Sequence, residues 1–216
     1  MASEFKVIEC TKDYIIISKP YGYLSEEAEA GESCPAAIRE YLDASGKTYD
    51  GIWTVHRLDR TTEGLMVYAL NKKAAAEISA EITGGGFRKI YTAYITAGEG
   101  LAEAGEMRDY LYFDRQRDKA FVVDGKRRGS KEAILEYAIV RRFEYEGEEV
   151  CEVRIELKTG RSHQIRVQFG SRKSPLIGDR KYGSRVTHRG AALFSVELSF
   201  CFRGERKVFT WREAVL

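Results

Sequence analysis

The strongest constraint on the fold is a pair of β segments joined by a glycine-containing turn. Ala133–Phe143 and Val150–Lys158 flank the turn Glu144–Glu149, which is the pattern of a β-hairpin. Along the second segment apolar residues alternate with charged ones, so one face is expected to be buried and the other solvated. This part of the chain therefore indicates an antiparallel sheet.

Segments rich in β-branched and aromatic residues recur along the rest of the chain, with few helical stretches between them. The predicted strands are Phe5–Cys10, Tyr14–Ser18, Gly64–Leu70, Arg88–Thr96, Leu193–Phe202 and Val208–Trp211. The predicted helices are Ala36–Ala44, Lys72–Thr83 and His163–Phe169. Because no repeat and no long linker interrupts them, the sequence predicts one α+β domain over residues 1–216, with a largely antiparallel mixed sheet and flanking helices.

Charge is distributed unevenly along the chain. The 216 residues carry 35 Lys and Arg against 33 Asp and Glu, a net charge of +2. Met1–Ile52 has a net charge of −5, whereas Lys158–Arg189 contains nine basic residues and a single acidic one, for a net charge of +8. The total argues against a nucleic-acid-binding domain, since such domains are often strongly basic. The asymmetry instead points to an anionic partner on one face, and to binding that weakens with salt.

The lengths of the apolar runs and the spacing of the cysteines indicate the cellular compartment of the protein. No apolar run approaches the ~20 residues that cross a bilayer, and the first residues lack the apolar segment of a signal peptide. The four cysteines are far apart and show no CxxC spacing. We therefore expect a cytoplasmic protein that does not enter membranes and that keeps its cysteines as free thiols.

One candidate for chemistry is the cluster Val55–Gly64, which precedes a predicted strand. It places Asp59 between Arg57 and Arg60. Flanking guanidinium groups keep a carboxylate ionised, as a covalent aspartate nucleophile requires. Taken alone, the cluster is more typical of a surface salt-bridge loop.

Two further clusters lie inside the basic segment. Thr159–Arg166 is a glycine turn followed by four side chains that can donate hydrogen bonds to phosphate, and Pro175–Gly183 is a turn-rich loop. Tyr91 starts a predicted strand beside basic residues, a setting in which aromatic rings stack on unpaired bases. Ordinary sheet packing is the alternative for Tyr91.

The order of these clusters resembles the RluA-type pseudouridine synthases, which isomerise uridine in RNA. The matching motifs are Lys19-Pro20-Tyr21-Gly22, His56-Arg57-Leu58-Asp59-Arg60-x-Thr62-x-Gly64-Leu65, Lys89-x-Tyr91-x-Ala93, Thr159-Gly160-Arg161-x-His163-Gln164-Ile165-Arg166 and Pro175-x-Ile177-Gly178-Asp179-x-x-Tyr182-Gly183. One such motif is weak, whereas five in the family's order are specific.

The chain departs from the family pattern at a few positions. Glu63 stands where Ser is usual, Gln168 where His is usual, and Phe194-Ser195 where His-Ala is common. These departures concern target choice more than chemistry. The first motif begins at Lys19, which leaves no room for the RNA-binding S4 domain of many family members, so the resemblance is to compact members without an S4 domain.

The resemblance implies a role for each site residue. Asp59 would be the catalytic aspartate, as nucleophile or as base; Arg166, or as second choice Arg161, would be its ion-pair partner, and Tyr91 would lie against the base. Arg57 would fill the space that the flipped nucleotide leaves. The implied RNA-binding residues are Arg57, Arg60, Arg161, His163, Gln164 and Ile165, with Ile165 as an apolar wall for the uracil.

The implied substrate is a structured RNA, a stem-loop of ribosomal or transfer RNA, because a loop uridine is easier to unstack. The isomerisation needs no cofactor and no metal, and we expect a monomer without an obligatory protein partner. Three alternatives stay open. The first is a metal site, with His56, His163 and Asp59 as ligands. The second is a hydrolase that uses Asp59 and His163 on a different anionic ligand. The third is an RNA chaperone that has this fold but does not catalyse the isomerisation.

Overall fold

The computed structural model describes residues 4–29, 32–98 and 100–211, in which eleven strands and three α-helices are formed. The strands are β1 Lys6–Cys10, β2 Tyr14–Lys19, β3 Trp53–Thr54, β4 Glu63–Ala69, β5 Arg88–Thr96, β6 Ala104–Asp114, β7 Lys119–Val123, β8 Ser130–Tyr145, β9 Glu148–Leu157, β10 Leu193–Phe202 and β11 Glu205–Thr210. The helices are α1 Cys34–Ala44, α2 Lys72–Gly84 and α3 Gln164–Ser171, with a single 3-10 turn at Arg180–Tyr182.

The part of the chain that the structure describes divides into two compact units. Unit 1 comprises its residues within 4–89 and 195–211, and unit 2 comprises those within 90–194. The prediction of a single domain over residues 1–216 stays a prediction.

Unit 1 is built on strands β2 and β4, in which every residue is buried. They pair antiparallel from Tyr14 opposite Ala69 to Lys19 opposite Gly64. Such continuous apolar runs need cover on both faces, because neither face carries a solvated side chain. Helix α1 begins at the N-cap Ser33, whose hydroxyl accepts from the backbone N–H of Ala36. Strand β4 begins directly after the loop that carries the candidate site residues of this unit, and β2 ends at Lys19, opposite Gly64 at the start of β4.

Unit 2 is an antiparallel sheet in the order β5-β9-β8-β6-β7. Helix α3 packs on one face of β6, β7 and β8. The cluster that joins helix and sheet consists of Leu111, Ala120, Ala133, Val167 and Tyr182. This packing fixes the helix that carries Arg166.

The α+β fold with a largely antiparallel sheet is confirmed, as are all three helices to within a few residues. The hairpin of β8 and β9 turns at Glu146 and Gly147, both with positive φ, as a tight turn requires. Strands β3, β6 and β7 were missed, and β11 begins at Glu205 rather than Val208. Within the described residues, no helix is long and apolar enough to cross a membrane.

Candidate active site

Asp59 lies in the loop between β3 and β4 of unit 1. Its side chain is partly buried, and its carbonyl oxygen accepts from the backbone N–H of Thr62 at 3.0 Å. Leu58 is buried on one side of it, and Arg60 is exposed on the other. The loop thus turns tightly at the aspartate before the chain enters β4.

The ammonium group of Lys19 holds this loop from inside the protein. Lys19 is fully buried at the end of β2, and its Nζ donates to the carbonyl oxygens of Pro20 at 2.9 Å, Arg60 at 3.1 Å and Thr62 at 2.9 Å. Three donors on one nitrogen match three backbone carbonyls, of which that of Arg60 also accepts from the backbone N–H of Gly22 at 2.9 Å. The Lys-Pro motif therefore fixes the backbone on the C-terminal side of Asp59.

Burial lowers the pKa of Lys19 to about 8, because desolvation disfavours the ammonium form. Cys34, Glu63 and Asp59 raise the pKa in part, and Arg60 lowers it. The charge of Lys19 is thus supported by the carboxylates of Glu63 and Asp59, the second of which is the candidate catalytic group.

Ser25 holds the loop on the N-terminal side of Asp59. Its buried hydroxyl donates to the carbonyl oxygen of Leu58 at 2.8 Å and accepts from the backbone N–H of Leu58 at 3.1 Å. The carbonyl oxygen of Ser25 accepts in turn from the phenol of Tyr68 at 2.8 Å. Both peptide groups next to Asp59 on this side are thereby fixed.

Gly64 closes the loop because no side chain fits there. Its φ is +106°, and a Cβ would overlap the backbone carbonyl of Ser195. The Ser195 hydroxyl also donates to the carbonyl oxygen of Leu65 at 3.1 Å. The glycine of the motif is therefore required by close backbone approach between β4 and β10.

His56 is a buried, neutral residue of unit 1. Its Nε2 accepts from the backbone N–H of Val67 at 3.1 Å, and its ring lies 5.3 Å from that of Phe87. Desolvation, with a smaller contribution from Lys89, lowers the pKa of His56 to about 3. Among the described residues no group of three or more His, Cys, Asp or Glu is arranged to hold a metal ion.

The two arginines beside Asp59 point to solvent. Arg57 pairs with Glu26 at 2.7 Å, with more than half of each side chain exposed. Arg60 donates through Nε to the carbonyl oxygen of Gly22 at 2.9 Å. An exposed pair of this kind contributes little to stability, so both guanidinium groups are accessible to an anionic partner.

Arg166 of unit 2 is buried in a bidentate ion pair. Its Nε and Nη2 donate to the two carboxylate oxygens of Asp179 at 2.7 and 2.9 Å. The guanidinium carbon lies 5.1 Å from the centre of the Tyr182 ring. Because breaking such a pair leaves a buried charge uncompensated, Asp179 and Arg166 act as a unit.

His163 and Tyr182 extend this cluster. His163 precedes α3 with a φ of 55°, and its Nδ1 lies 2.8 Å from the Tyr182 hydroxyl oxygen. That oxygen also accepts from the backbone N–H of Ala120 at 2.7 Å. The histidine side chain is thus tied to β7 through Tyr182.

Gln164 and Arg161 order the turn before α3. The Gln164 side-chain oxygen accepts from the Thr159 hydroxyl at 2.8 Å and from the backbone N–H of Arg161 at 3.0 Å. Arg161 donates through Nε to the carbonyl oxygen of Glu132 at 2.8 Å. Ile165 is buried. The role of these residues in RNA binding stays a prediction.

Tyr91 is buried in β5, opposite Ile155 of β9. The strand position predicted for it is confirmed, while its placement against a base stays a prediction.

Two of the departures from the family pattern are core residues of unit 2. The Gln168 side-chain nitrogen donates to Asp109 at 2.7 Å, a carboxylate that also pairs with Arg172 at 3.0 Å. Phe194 packs edge-on against Tyr94. Glu63, the third, is buried in unit 1.

The predicted site residues fall in both units. Asp59, Arg57 and Arg60 belong to unit 1, whereas Tyr91 and the residues from Arg161 to Arg166 belong to unit 2. The ion pair predicted between Asp59 and Arg166 stays a prediction. Sequence reasoning missed the roles of Ser25 and Asp179.

Residues 13–171 match the family described as RNA pseudouridylate synthase. Ribosomal large subunit pseudouridine synthase D of Pseudomonas aeruginosa is 32% identical over 84% of this chain and 54% of its own length. Dual-specificity RNA pseudouridine synthase RluA of Vibrio parahaemolyticus is 34% identical over 87% of this chain and 74% of its own length. Human RNA pseudouridylate synthase domain containing 1 has the same fold, with a TM-score of 0.79 at 19% identity over 99% of this chain and 85% of its own. The chain thus spans little more than half the length of the first of these relatives.

Proposed function

Because this chain belongs to the RNA pseudouridylate synthase family, we propose that it converts uridine in RNA to pseudouridine with Asp59 as the catalytic aspartate. The bond between ribose C1′ and uracil N1 breaks, and a bond between C1′ and uracil C5 forms. The hydrogen on C5 leaves as a proton, and N1 gains one. Atoms and electrons balance without an oxidant or a group donor.

The observation that carries the proposal is the rigid loop around Asp59. Lys19 fixes the peptide groups after the aspartate, and the Ser25 hydroxyl fixes those before it. A carboxylate that attacks ribose, or takes a proton from it, must be held close to the attack geometry, and a fixed backbone provides this. A surface salt-bridge loop would need no such support.

In this proposal Tyr91 contacts the flipped base, and Arg166 is the ion-pair partner of Asp59. Arg57 and Arg60 are exposed beside the aspartate. An exposed guanidinium group can contact RNA phosphates or fill the space that the flipped nucleotide leaves in the RNA stack. The Asp179 carboxylate is a positioning group, because it holds Arg166 through two hydrogen bonds.

The proposed substrate is a stem-loop of ribosomal or transfer RNA, in which a loop uridine leaves its stack most easily. The proposed setting is the cytoplasm, with the protein acting as a single-domain monomer without cofactor, metal or protein partner. All four cysteines are free thiols, which agrees with a reducing compartment.

Incubation with total RNA, followed by carbodiimide mapping of pseudouridine, tests the proposal and identifies the substrate. We expect one or a few modified uridines. Tight RNA binding without any modified site would favour a binding module, and turnover of a free nucleotide without RNA would favour a hydrolase. Either result would contradict the proposal.

A further inference from the structure

The connection between β7 and β8 of unit 2, together with the start of β8, carries an excess of positive charge. Lys126, Arg127, Arg128 and Lys131 lie within six residues, and all four side chains are exposed. None of them has an ion-pair partner among the described residues. We call these four residues the basic turn.

Several other surface cations of unit 2 are paired with carboxylates. On the β8–β9 hairpin, Arg141 pairs with Glu152 at 2.6 Å, and Arg142 pairs with Glu103 at 2.7 Å. Lys158 pairs with Glu156 at 2.9 Å. The basic turn therefore differs from these paired cations.

The turn is also held in one conformation. The Ser130 hydroxyl donates to the carbonyl oxygen of Arg127 at 2.8 Å and accepts from the backbone N–H of Arg127 at 2.9 Å. Gly125 and Gly129 adopt φ angles of +68° and +82°, a backbone conformation that residues with a side chain rarely adopt. Cations on a fixed backbone lose less conformational entropy when they bind an anion.

The basic turn is joined directly to a sequence motif of the candidate site. Lys131 is followed by Glu132, whose carbonyl oxygen accepts from Arg161. Two residues further along β8, the backbone of Ile134 bonds to Thr159 and to Gln164. The start of β8 is thus the support on which the turn before α3 is built.

An exposed aromatic ring borders the same turn. Tyr112 is 39% exposed, and a Cβ at Gly129 would lie 3.5 Å from its ring. Aromatic rings beside unpaired cations are the combination that binds unpaired nucleotides, through stacking and phosphate contacts.

We propose that the basic turn binds the sugar-phosphate backbone of the substrate RNA and anchors it to unit 2. This inference rests on the proposed function, since it names a surface for the same substrate. Edge strands often carry lysine and arginine merely to prevent aggregation. That alternative gives no reason for a fixed turn or for its link to Arg161.

The test compares two triple variants with equal charge loss. One replaces the turn (Lys126→Gln, Arg127→Gln, Arg128→Gln), and the control replaces paired cations (Arg141→Gln, Arg142→Gln, Lys158→Gln). Binding of a labelled RNA hairpin with uridines in its loop is measured by fluorescence anisotropy over a range of salt concentrations. Thermal unfolding confirms that both variants fold.

We expect the turn variant to raise the Kd for the hairpin about tenfold or more at low salt. Because two to three phosphate contacts are lost, the slope of log Kd against log salt concentration should also fall by about 2. We expect the control to change the Kd by less than about threefold. Equal effects of the two variants would overturn the proposal.

Activity separates this proposal from the proposed function. If the wild-type protein forms pseudouridine and the turn variant keeps its KM for RNA, the basic turn is not a binding surface. If the wild-type protein binds RNA through the turn but forms no pseudouridine, the docking surface stands and the proposed function fails.

Discussion

In unit 1 the loop that carries Asp59 is held through its backbone, whereas in unit 2 Arg166 is held through its side chain. Lys19 and Ser25 contact peptide groups around the aspartate. Arg166 instead depends on Asp179 and on the ring of Tyr182. Backbone contacts leave the side chains of the Asp59 loop available for substrate, whereas the contacts with Asp179 use the Nε and Nη2 of the Arg166 side chain itself.

This difference has a consequence for RNA binding. Arg57 and Arg60 stay exposed on the backbone-held loop, but His163, Gln164 and Ile165 are buried. Contacts with RNA phosphates in unit 2 are therefore expected from the basic turn rather than from these three residues.

The largest loss of stability is expected when the ion pair between Arg166 and Asp179 in unit 2 is broken. Asp179→Ala removes the carboxylate that binds the buried Arg166 guanidinium through two hydrogen bonds, which is expected to lower the free energy of unfolding by about 3–5 kcal/mol. Urea unfolding followed by circular dichroism measures the change. A loss below about 1 kcal/mol would show that Arg166 does not depend on this pair.

Lys19→Met tests the backbone contacts of unit 1. The carbonyls of Pro20 and Thr62 lose the ammonium donor, and that of Arg60 keeps only the N–H of Gly22, so we expect a loss of roughly 3 kcal/mol and a large fall in kcat. Lys19→Arg is the charge-conserving comparison, and its five fixed donors do not fit the same three carbonyls. Unchanged kcat in a folded Lys19→Met variant would contradict a role of these contacts in positioning Asp59.

Acid sensitivity is expected in unit 1 because of His56. Its pKa is about 3 in the folded protein against about 6.5 when unfolded, so the unfolded state binds the extra proton between these values. The free energy of unfolding therefore falls as the pH drops below 6.5, by about 2 kcal/mol at pH 5.

The fluorescence of Trp53 and Trp211 reports this change, because both tryptophans belong to unit 1. His56→Gln removes the titrating group, and its unfolding free energy should depend less on pH over this range. An identical pH dependence in the two proteins would exclude His56 as the cause.

The smallest effect is expected for Ser25→Ala. Losing one buried hydroxyl is expected to lower stability by about 1 kcal/mol, as is removal of the helix cap in Ser33→Ala. Of these two variants, only Ser25→Ala should also lower kcat without changing the KM for RNA. Ser25 contacts the peptide groups that precede Asp59, whereas Ser33 caps helix α1. Equal kcat values in the two variants would reduce Ser25 to a structural role.

Much of the fold could be predicted from the sequence, because apolar periodicity is a local signal. β5 and β10 were predicted to the residue. β6 and β7 were missed because most of their residues are exposed or half-buried and the turns around them are charged, so their pattern is that of a loop.

The site could be predicted only in part. The motif identified Asp59 as a candidate. The hydrogen bonds of Lys19 and Ser25 that fix its loop, however, join residues 33 to 43 positions apart in the chain. The partner of Arg166 was equally hidden, because Asp179 lies on a separate turn. Such contacts depend on tertiary structure, which local patterns do not encode.

The claim that Asp59 is the catalytic aspartate is tested most directly by measuring release of the hydrogen on uracil C5, which the isomerisation must remove. RNA containing uridine tritiated at C5 is incubated with the wild-type protein, with Asp59→Asn and with Asp43→Asn, an exposed aspartate of unit 1 that serves as the control. We predict tritium release to water from the wild-type protein and the control, and none from Asp59→Asn, although that variant still folds and binds RNA. Release by Asp59→Asn at the wild-type rate would contradict the assignment of Asp59 as the catalytic aspartate.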